Sequence, residues 1–188
     1  MAKLLAVSPL RASGSDVAVI KNDGLLIEEV SGYGLIRLQV FSRGGIEEAS
    51  LAEQSGLSFP GPGRVASTAH GFIGWAAPYE WILAIAVGAD TGQVENLSQG
   101  FSGLPSAATV ITDSRVLLKL SGTGARRLLA MGSGVDYHPC AFKAGTGVTT
   151  KLAGITAMVF QPEEDTFLVF VDRSHADYFW AWIKDVTS

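Results

Sequence analysis

Residues 112–142, TDSRVLLKLSGTGARRLLAMGSGVDYHPCAF, run through an order of elements that the chain has already used once from Gly34. Arg115 to Leu120 reads as a strand, and Thr123 to Met131 as the best-signalled helix of the chain. Ser121 or Thr123 supplies a side chain to cap its first amides, and Gly132 stands where a left-handed stop belongs. Leu128, Leu129 and Met131, with Ala125, mark its buried face, and Arg126 and Arg127 lie in its body. In the earlier half, Leu35 to Phe41 (LIRLQVF) alternates apolar and polar residues as a half-buried strand does. Gly45 to Gln54 follows as a short amphipathic helix with acids near its start and Gly56 at its end.

Working outward, each half goes on to strands and a second helix. In the first half these are Gly71–Ala76, Trp81–Val87 and a polar helical stretch from Asp90 to Phe101, after the rigid loop FPGPGR at 59–64. In the second they are Val148–Leu152 and Ile155–Phe160 about Ala153-Gly154, then Thr166–Val171. A final helix follows, capped by Asp172 or Ser174, with Ala176, Phe179, Trp180 and Ile183 on one face. Gly103 to Pro105 mark the seam. The shared order is strand, helix, two strands, helix, so the expected fold is α+β. It is built as two tandem split βαβ halves of ferredoxin-like type, with antiparallel or mixed sheets and helices on one side. Residues 1–33 are expected to be an N-terminal arm and a hairpin that turns at Asp23-Gly24. Residues 34–188 form one domain, its pseudo-repeats spanning about 34–103 and 104–188.

The composition narrows the function classes. An apolar fraction of 47% in 188 residues and a mean hydropathy of +0.28 supply a dense core from short Ala, Val, Leu and Ile runs. The net charge of −4 is spread along the chain, with no basic stripe to neutralise phosphates, so nucleic acid is not an expected partner. A single cysteine, Cys140, excludes an internal disulfide and a Cys-pair metal site. The opening MAKLLAVSPLRASG breaks at Pro9 and Arg11, too short for a secretory core, and no run approaches a membrane span of about 20 residues. A cytoplasmic protein off the membrane is expected.

Candidate sites are few. His70, His138 and His175 have no zinc-motif spacing. Cys140 lies two residues from His138 without an oxyanion-hole signature, so a small hydrolase ranks far down. Ser121-Gly122-Thr123-Gly124-Ala125 opens a helix after a strand, as a phosphate-binding turn does. Arg127 stands where G-x-G-x-x-G needs its third glycine, however, so a tight strand-to-helix turn is the better reading. Arg126 and Arg127 suit a carboxylate partner, with Asp113 the natural internal candidate. One of Trp180 and Trp182 is expected to face away from the core as a docking residue.

These segments together resemble the gamma subunit of heterotetrameric sarcosine oxidase. Trp75-Ala-Ala-Pro-Tyr-Glu-Trp-Ile-Leu83 looks like the family's W-x-x-P-x-E-W-L-L pattern, and Thr112-Asp-Ser-Arg115 carries the next part of the likeness. It continues through Leu120-Ser-Gly122, Ala125-Arg126 and Leu128-Leu129. Val135-Asp-Tyr-His-Pro139 with Phe142 and Gly145 is similar to D-L-H-P-x-x-F-x-x-G, and the ending from Phe167 to Trp182 also matches. Ile82 and Tyr137 stand where Leu is usual, and Ala77 where Gly is common. The resemblance implies a fold like the folate-binding domain of aminomethyltransferases. It also implies a non-catalytic subunit, free of cofactor, in a complex that demethylates sarcosine or a related N-methyl amine and passes the methyl carbon to tetrahydrofolate. FAD, FMN, NAD and zinc would sit on partners: larger alpha and beta flavoprotein subunits and a small delta subunit. Asp113, Arg115, Arg126, His138, Trp180 and Trp182 are then interface or structural candidates. The alternative is a free-standing tetrahydrofolate-binding protein of aminomethyltransferase type, gripping the pterin with Asp113 or Glu80 between Tyr79 and Trp81.

Overall fold

The computed structural model of the chain describes residues 8, 10, 19–22, 24–41, 56–69, 71–86, 90–101 and 105–188; at 86, 90, 91 and 98–100 it describes backbone only. The helix expected at 45–54, the seam glycine Gly103 and His70 lie outside them. Among the described residues eleven strands form two sheets, every pairing antiparallel. The strands are β1 (Val19–Asn22), β2 (Leu25–Glu29), β3 (Tyr33–Val40), β4 (Val65–Thr68), β5 (Gly71–Ala77), β6 (Glu80–Ala86), β7 (Ser106–Val110), β8 (Arg115–Ser121), β9 (Thr146–Leu152), β10 (Ile155–Glu163) and β11 (Thr166–Asp172). The helices are α1 (Asp90–Gly100), α2 (Gly124–Gly132) and α3 (Ala176–Thr187). One sheet runs β4-β5-β6-β3-β7 and the other β1-β2-β8-β11-β10-β9.

The two sheets pack face to face, which explains the unbroken apolar runs. In β6, Trp81, Leu83 and Ile85 point toward α1, while Ile82 and Ala84 point toward the other sheet. In β11, Phe167, Val169 and Val171 meet α2 and α3, while Leu168 and Phe170 turn inward. A strand buried on both faces needs no polar alternation. Helices thus cover the outer face of each sheet, and the other sheet covers its inner face. Phe160, fully buried on β10, is the central knob between the layers. A Cβ on Gly74 of the five-stranded sheet would come within 2.4 Å of its ring. Phe72 and Phe170 hold its edges at 6.2 and 5.3 Å between centroids.

Local expectations succeed where turn chemistry is explicit. Gly24 takes φ +74° in the β1–β2 hairpin, and Ala153 (+51°) with Gly154 (+82°) makes the two-residue turn between β9 and β10. Asp172 accepts the Ser174 N–H at 3.2 Å and opens a short 3-10 turn that runs into α3. The short edge strand β4 went unread because four residues, VAST, are too few to show a period.

Three details of α2 differ from expectation. No side chain caps its first turn, and Thr123 sits in helical conformation. Gly132 is not left-handed; the chain leaves through Ser133 in extended conformation. Gly132 is glycine for space, because a Cβ there would lie 2.8 Å from the Trp182 ring and 2.9 Å from Leu152. Met131, placed on the buried face by its spacing, is 54% exposed, and Gly132 takes the inward position instead.

Candidate functional site

The irregular segment 133–145 holds His138 and Cys140, and one side chain organises it. Arg126 projects from α2 and donates from Nη1 to the carbonyls of Tyr137 and Phe142, both at 2.8 Å. Its Nη2 reaches Glu164 Oε1 at 3.0 Å, and Asp165 Oδ1 lies 3.5 Å from Nε. Phe167 packs its ring 5.2 Å below the guanidinium carbon. Gln161 is the one buried polar side chain among the described residues. With its amide set to satisfy the network, it accepts from Arg126 at 2.8 Å and donates to the Phe142 carbonyl at 3.0 Å. A guanidinium only 12% exposed, spanning two loop carbonyls and a β-turn carboxylate, is a clasp. Asp113 is not its partner, contrary to expectation. Asp113 lies exposed in the 3-10 turn Thr112–Ser114, whereas the acids that meet Arg126 come from the β10–β11 turn.

The Thr112–Arg115 turn works differently. Thr112 Oγ1 accepts the Leu35 N–H at 2.9 Å, and the Leu35 carbonyl accepts from Ile111 at 2.8 Å, so the turn ties β3 to β8. Arg115 lies 3.6 Å from Asp172, across the β8–β11 pair. The Asp172 carboxyl is held below its ordinary value of 3.8, chiefly by the Ser174 hydroxyl, then by the Ser174 N–H, with Arg115 adding its charge.

His138 and Cys140 are both exposed, and the imidazole Nδ1 accepts the Cys140 backbone N–H at 3.2 Å. The imidazole therefore shapes the loop, with Asp136 accepting the His138 N–H at 2.9 Å. Tyr137 is buried against Phe142 and Phe167, and burial, only partly offset by the nearby Ser133 hydroxyl, pushes its pKa up.

Neither tryptophan of α3 faces away from the core. Trp180 is buried, and Trp182 is half-buried, stacked on Phe179 at 5.6 Å and seated over Gly132. The missing Cβ of Gly132 makes that seat, which helix periodicity did not reveal. The large exposed aromatic of α3 is Tyr178, at 55%, and its hydroxyl donates to the Ala153 carbonyl.

The strand-to-helix turn at Gly122–Gly124 cradles the N-terminal hairpin. Gly124 N–H donates to the Gly24 carbonyl at 2.9 Å, and a Cβ on Gly122 would lie 2.4 Å from the same oxygen. The amide a phosphate would need is already spent. The residues suggested for a pterin are engaged elsewhere or exposed. Glu80 accepts from Arg37 at 2.7 Å and Gln39 at 3.0 Å; Trp81 is buried against Phe59, with its indole N–H on the Pro60 carbonyl; Tyr79 is exposed.

A cleft of about 350 Å³ opens between the sheets, lined by Tyr33, Phe72, Lys119, Glu163 and Leu168 among others. It offers Lys119 and Glu163, with the hydroxyls of Ser67 and Thr166, around an apolar floor. Among the described residues no three His, Cys, Asp or Glu side chains group to hold a metal ion, and no helix is long and apolar enough to cross a membrane.

This architecture is shared with known proteins. The profile of the family "Sarcosine oxidase, gamma subunit family" matches residues 47–188. The chain belongs to that family. The sarcosine oxidase subunit gamma of Corynebacterium sp. (strain P-1) is 28% identical over 142 residues, 74% of this chain and 69% of that one. The subunit gamma from Corynebacterium sp. (strain U-96) is 25% identical over 147 residues, 77% and 71% of the two chains. Among solved structures, a chain of heterotetrameric sarcosine oxidase from Corynebacterium sp. U-96, in complex with pyrrole 2-carboxylate, superposes with a TM-score of 0.82 at 22% identity. That match covers 97% of this chain and 94% of that one. Glycine cleavage system aminomethyltransferase T from Bartonella henselae shares the fold at a TM-score of 0.60 and 16% identity, over 84% of this chain and 44% of its own. The fold class is therefore a sheet-dominated α+β architecture like that of an aminomethyltransferase.

Proposed function

We propose that this chain is the gamma subunit of a heterotetrameric, flavin-dependent sarcosine oxidase, and that it acts in assembly without an active site of its own. The observation that carries this reading is the family match across residues 47–188. Larger alpha and beta flavoprotein subunits and a small delta subunit are its partners. FAD, FMN, NAD and zinc belong to them, tetrahydrofolate takes the methyl carbon, and the setting is the cytoplasm. Substrate hydride passes to a flavin held by a partner, so the work of this chain is to hold a shape.

The side chains support that role. Arg126 and His138 build the 133–145 loop, Arg115 pairs with Asp172, and Trp180 and Trp182 lock α3 onto its sheet. Asp113, exposed on the turn between β7 and β8, is the candidate for a partner contact.

We read the domain as residues 34–188, two pseudo-repeats of about 34–103 and 104–188, each a split βαβ unit. The strand orders support the repeat, β4-β5-β6-β3-β7 corresponding to β9-β10-β11-β8-β2, but shift its bounds: β7 (Ser106–Val110) completes the first sheet and β2 (Leu25–Glu29) the second. The shared fold with aminomethyltransferase T is what supports a free-standing folate binder; of its two candidate carboxylates, Glu80 is already taken by Arg37 and Gln39 and Asp113 lies exposed.

The test is purification of the tagged chain from its own host, with mass spectrometry, a visible spectrum and a sarcosine oxidation assay on the eluate. Larger flavin-coloured partners in fixed ratio, with oxidation intact, are expected. A colourless lone chain would sink the reading.

A further inference from the structure

The sheet edges are finished in different ways. β1 carries Lys21, and Asn22 Nδ2 donates to the Thr187 carbonyl at 2.7 Å. β4 and β9 close on each other at a corner, where Arg64 bridges Thr146 and Val65 N–H donates to the Gly145 carbonyl at 2.9 Å. A charged, covered or bridged edge resists adding another strand. β7, with the sequence SAATV, has no charge, and no described strand lies on its outer side.

The register shows which backbone groups are open. Phe41 N–H donates to the Pro105 carbonyl at 2.6 Å and Ile111 N–H to the Leu35 carbonyl at 2.8 Å, at the two ends of the β3–β7 ladder. Odd-numbered residues of β7 therefore face β3, and Ser106, Ala108 and Val110 turn their N–H and C=O groups outward. Val110 pairs with fully buried Ile36, yet is 43% exposed. Phe41, at the start of the ladder, is 56% exposed. The other sheet shows what such an edge accepts. There β2 takes the place beside β8 that β7 takes beside β3, and β1 lies antiparallel on β2.

We propose that β7 receives an extended, uncharged segment of a partner subunit, added antiparallel as a sixth strand and covering Val110. This rests on the subunit reading above. The added strand would occupy, beside β7, the position that β1 holds beside β2, with main-chain hydrogen bonds giving the affinity.

Two variants test it in the co-expressed complex. Ala108→Pro removes an outward N–H without touching the β3 ladder, and Val110→Lys puts a charge on the edge. With circular dichroism and melting confirming the fold, each is expected to lower recovery of partner subunits by a tagged chain at least about tenfold. In the wild-type complex, the Ala108 and Val110 amides should exchange with deuterium at least about tenfold more slowly than in the free chain. Wild-type recovery by both variants, unchanged amide exchange on assembly, or a β7-paired homodimer would overturn the proposal. Failure of the wild-type chain to recover any partner would instead remove the subunit reading itself. If one variant fails to fold, the other and the exchange measurement decide.

Discussion

In the six-stranded sheet the strand beside β8 is β2, brought from the N-terminal hairpin and backed by β1; in the five-stranded sheet the strand beside β3 is β7, and no described strand backs it. The first sheet is also pinned from outside by polar bonds. Gly124 holds the hairpin carbonyl, and Arg126 binds the α2–β9 loop to the β10–β11 turn. The second sheet has Arg37 and Gln39 on Glu80 and the Trp81 indole on Pro60, beside the packing of Trp81, Phe59 and Phe101 beneath α1. The same order of strands thus yields one edge that completes itself and one with no described strand beyond it. A subunit needs both a self-sufficient core and an unfinished side.

Phe160 is where the two sheets depend on each other, so Phe160→Ala should have the largest effect. A fully buried ring lost between closely packed layers costs about 3–5 kcal/mol, read as a lower denaturant midpoint. If the sheets were independent units, only one of two unfolding transitions would move. Arg126→Met should cost about 2–4 kcal/mol, because two loop carbonyls lose a charged donor. Lysine should not restore it, lacking the planar fork. A midpoint unchanged by that substitution would mean that the clasp does not hold the loop.

Gly132→Ala sets helix propensity, worth about 1 kcal/mol in favour of alanine, against a Cβ 2.8 Å from Trp182. Overpacking should win and destabilise by about 1–2 kcal/mol. Tyr137→Phe removes a buried hydroxyl tied only weakly to Ser133 and should change stability by less than about 1 kcal/mol. The smallest effect concerns Asp172, a half-exposed carboxyl whose folded pKa lies below 3.8. Its contribution is full above that value and fades as pH falls through the folded pKa, so Asp172→Asn should flatten the acid limb of a stability–pH curve.

Much of this was legible in the chain. Alternation in LIRLQVF, the turns at Gly24 and Ala153-Gly154, and the Ala176, Phe179, Trp180, Ile183 face of α3 are local signals that tertiary packing leaves intact. What stayed hidden was non-local. Arg126 announced a carboxylate partner, yet nothing in sequence separation favours Glu164 and Asp165 over Asp113; only the approach of the β10–β11 turn to α2 decides it. Trp182 reads as off the buried face by periodicity, but glycine at 132 opens a seat that a helical wheel does not contain. The open edge of β7 depends on which strand becomes its neighbour, and pairing order is a property of the folded sheet.

The most direct measurement compares the partner subunits purified with and without this chain, by sedimentation and by anaerobic bleaching of their flavin with sarcosine. A structural subunit predicts that without it sarcosine still bleaches the flavin while the complex loses mass beyond that of the missing chain. Partners that keep their assembly without it, but bleach only once it is added back, would contradict a purely structural role.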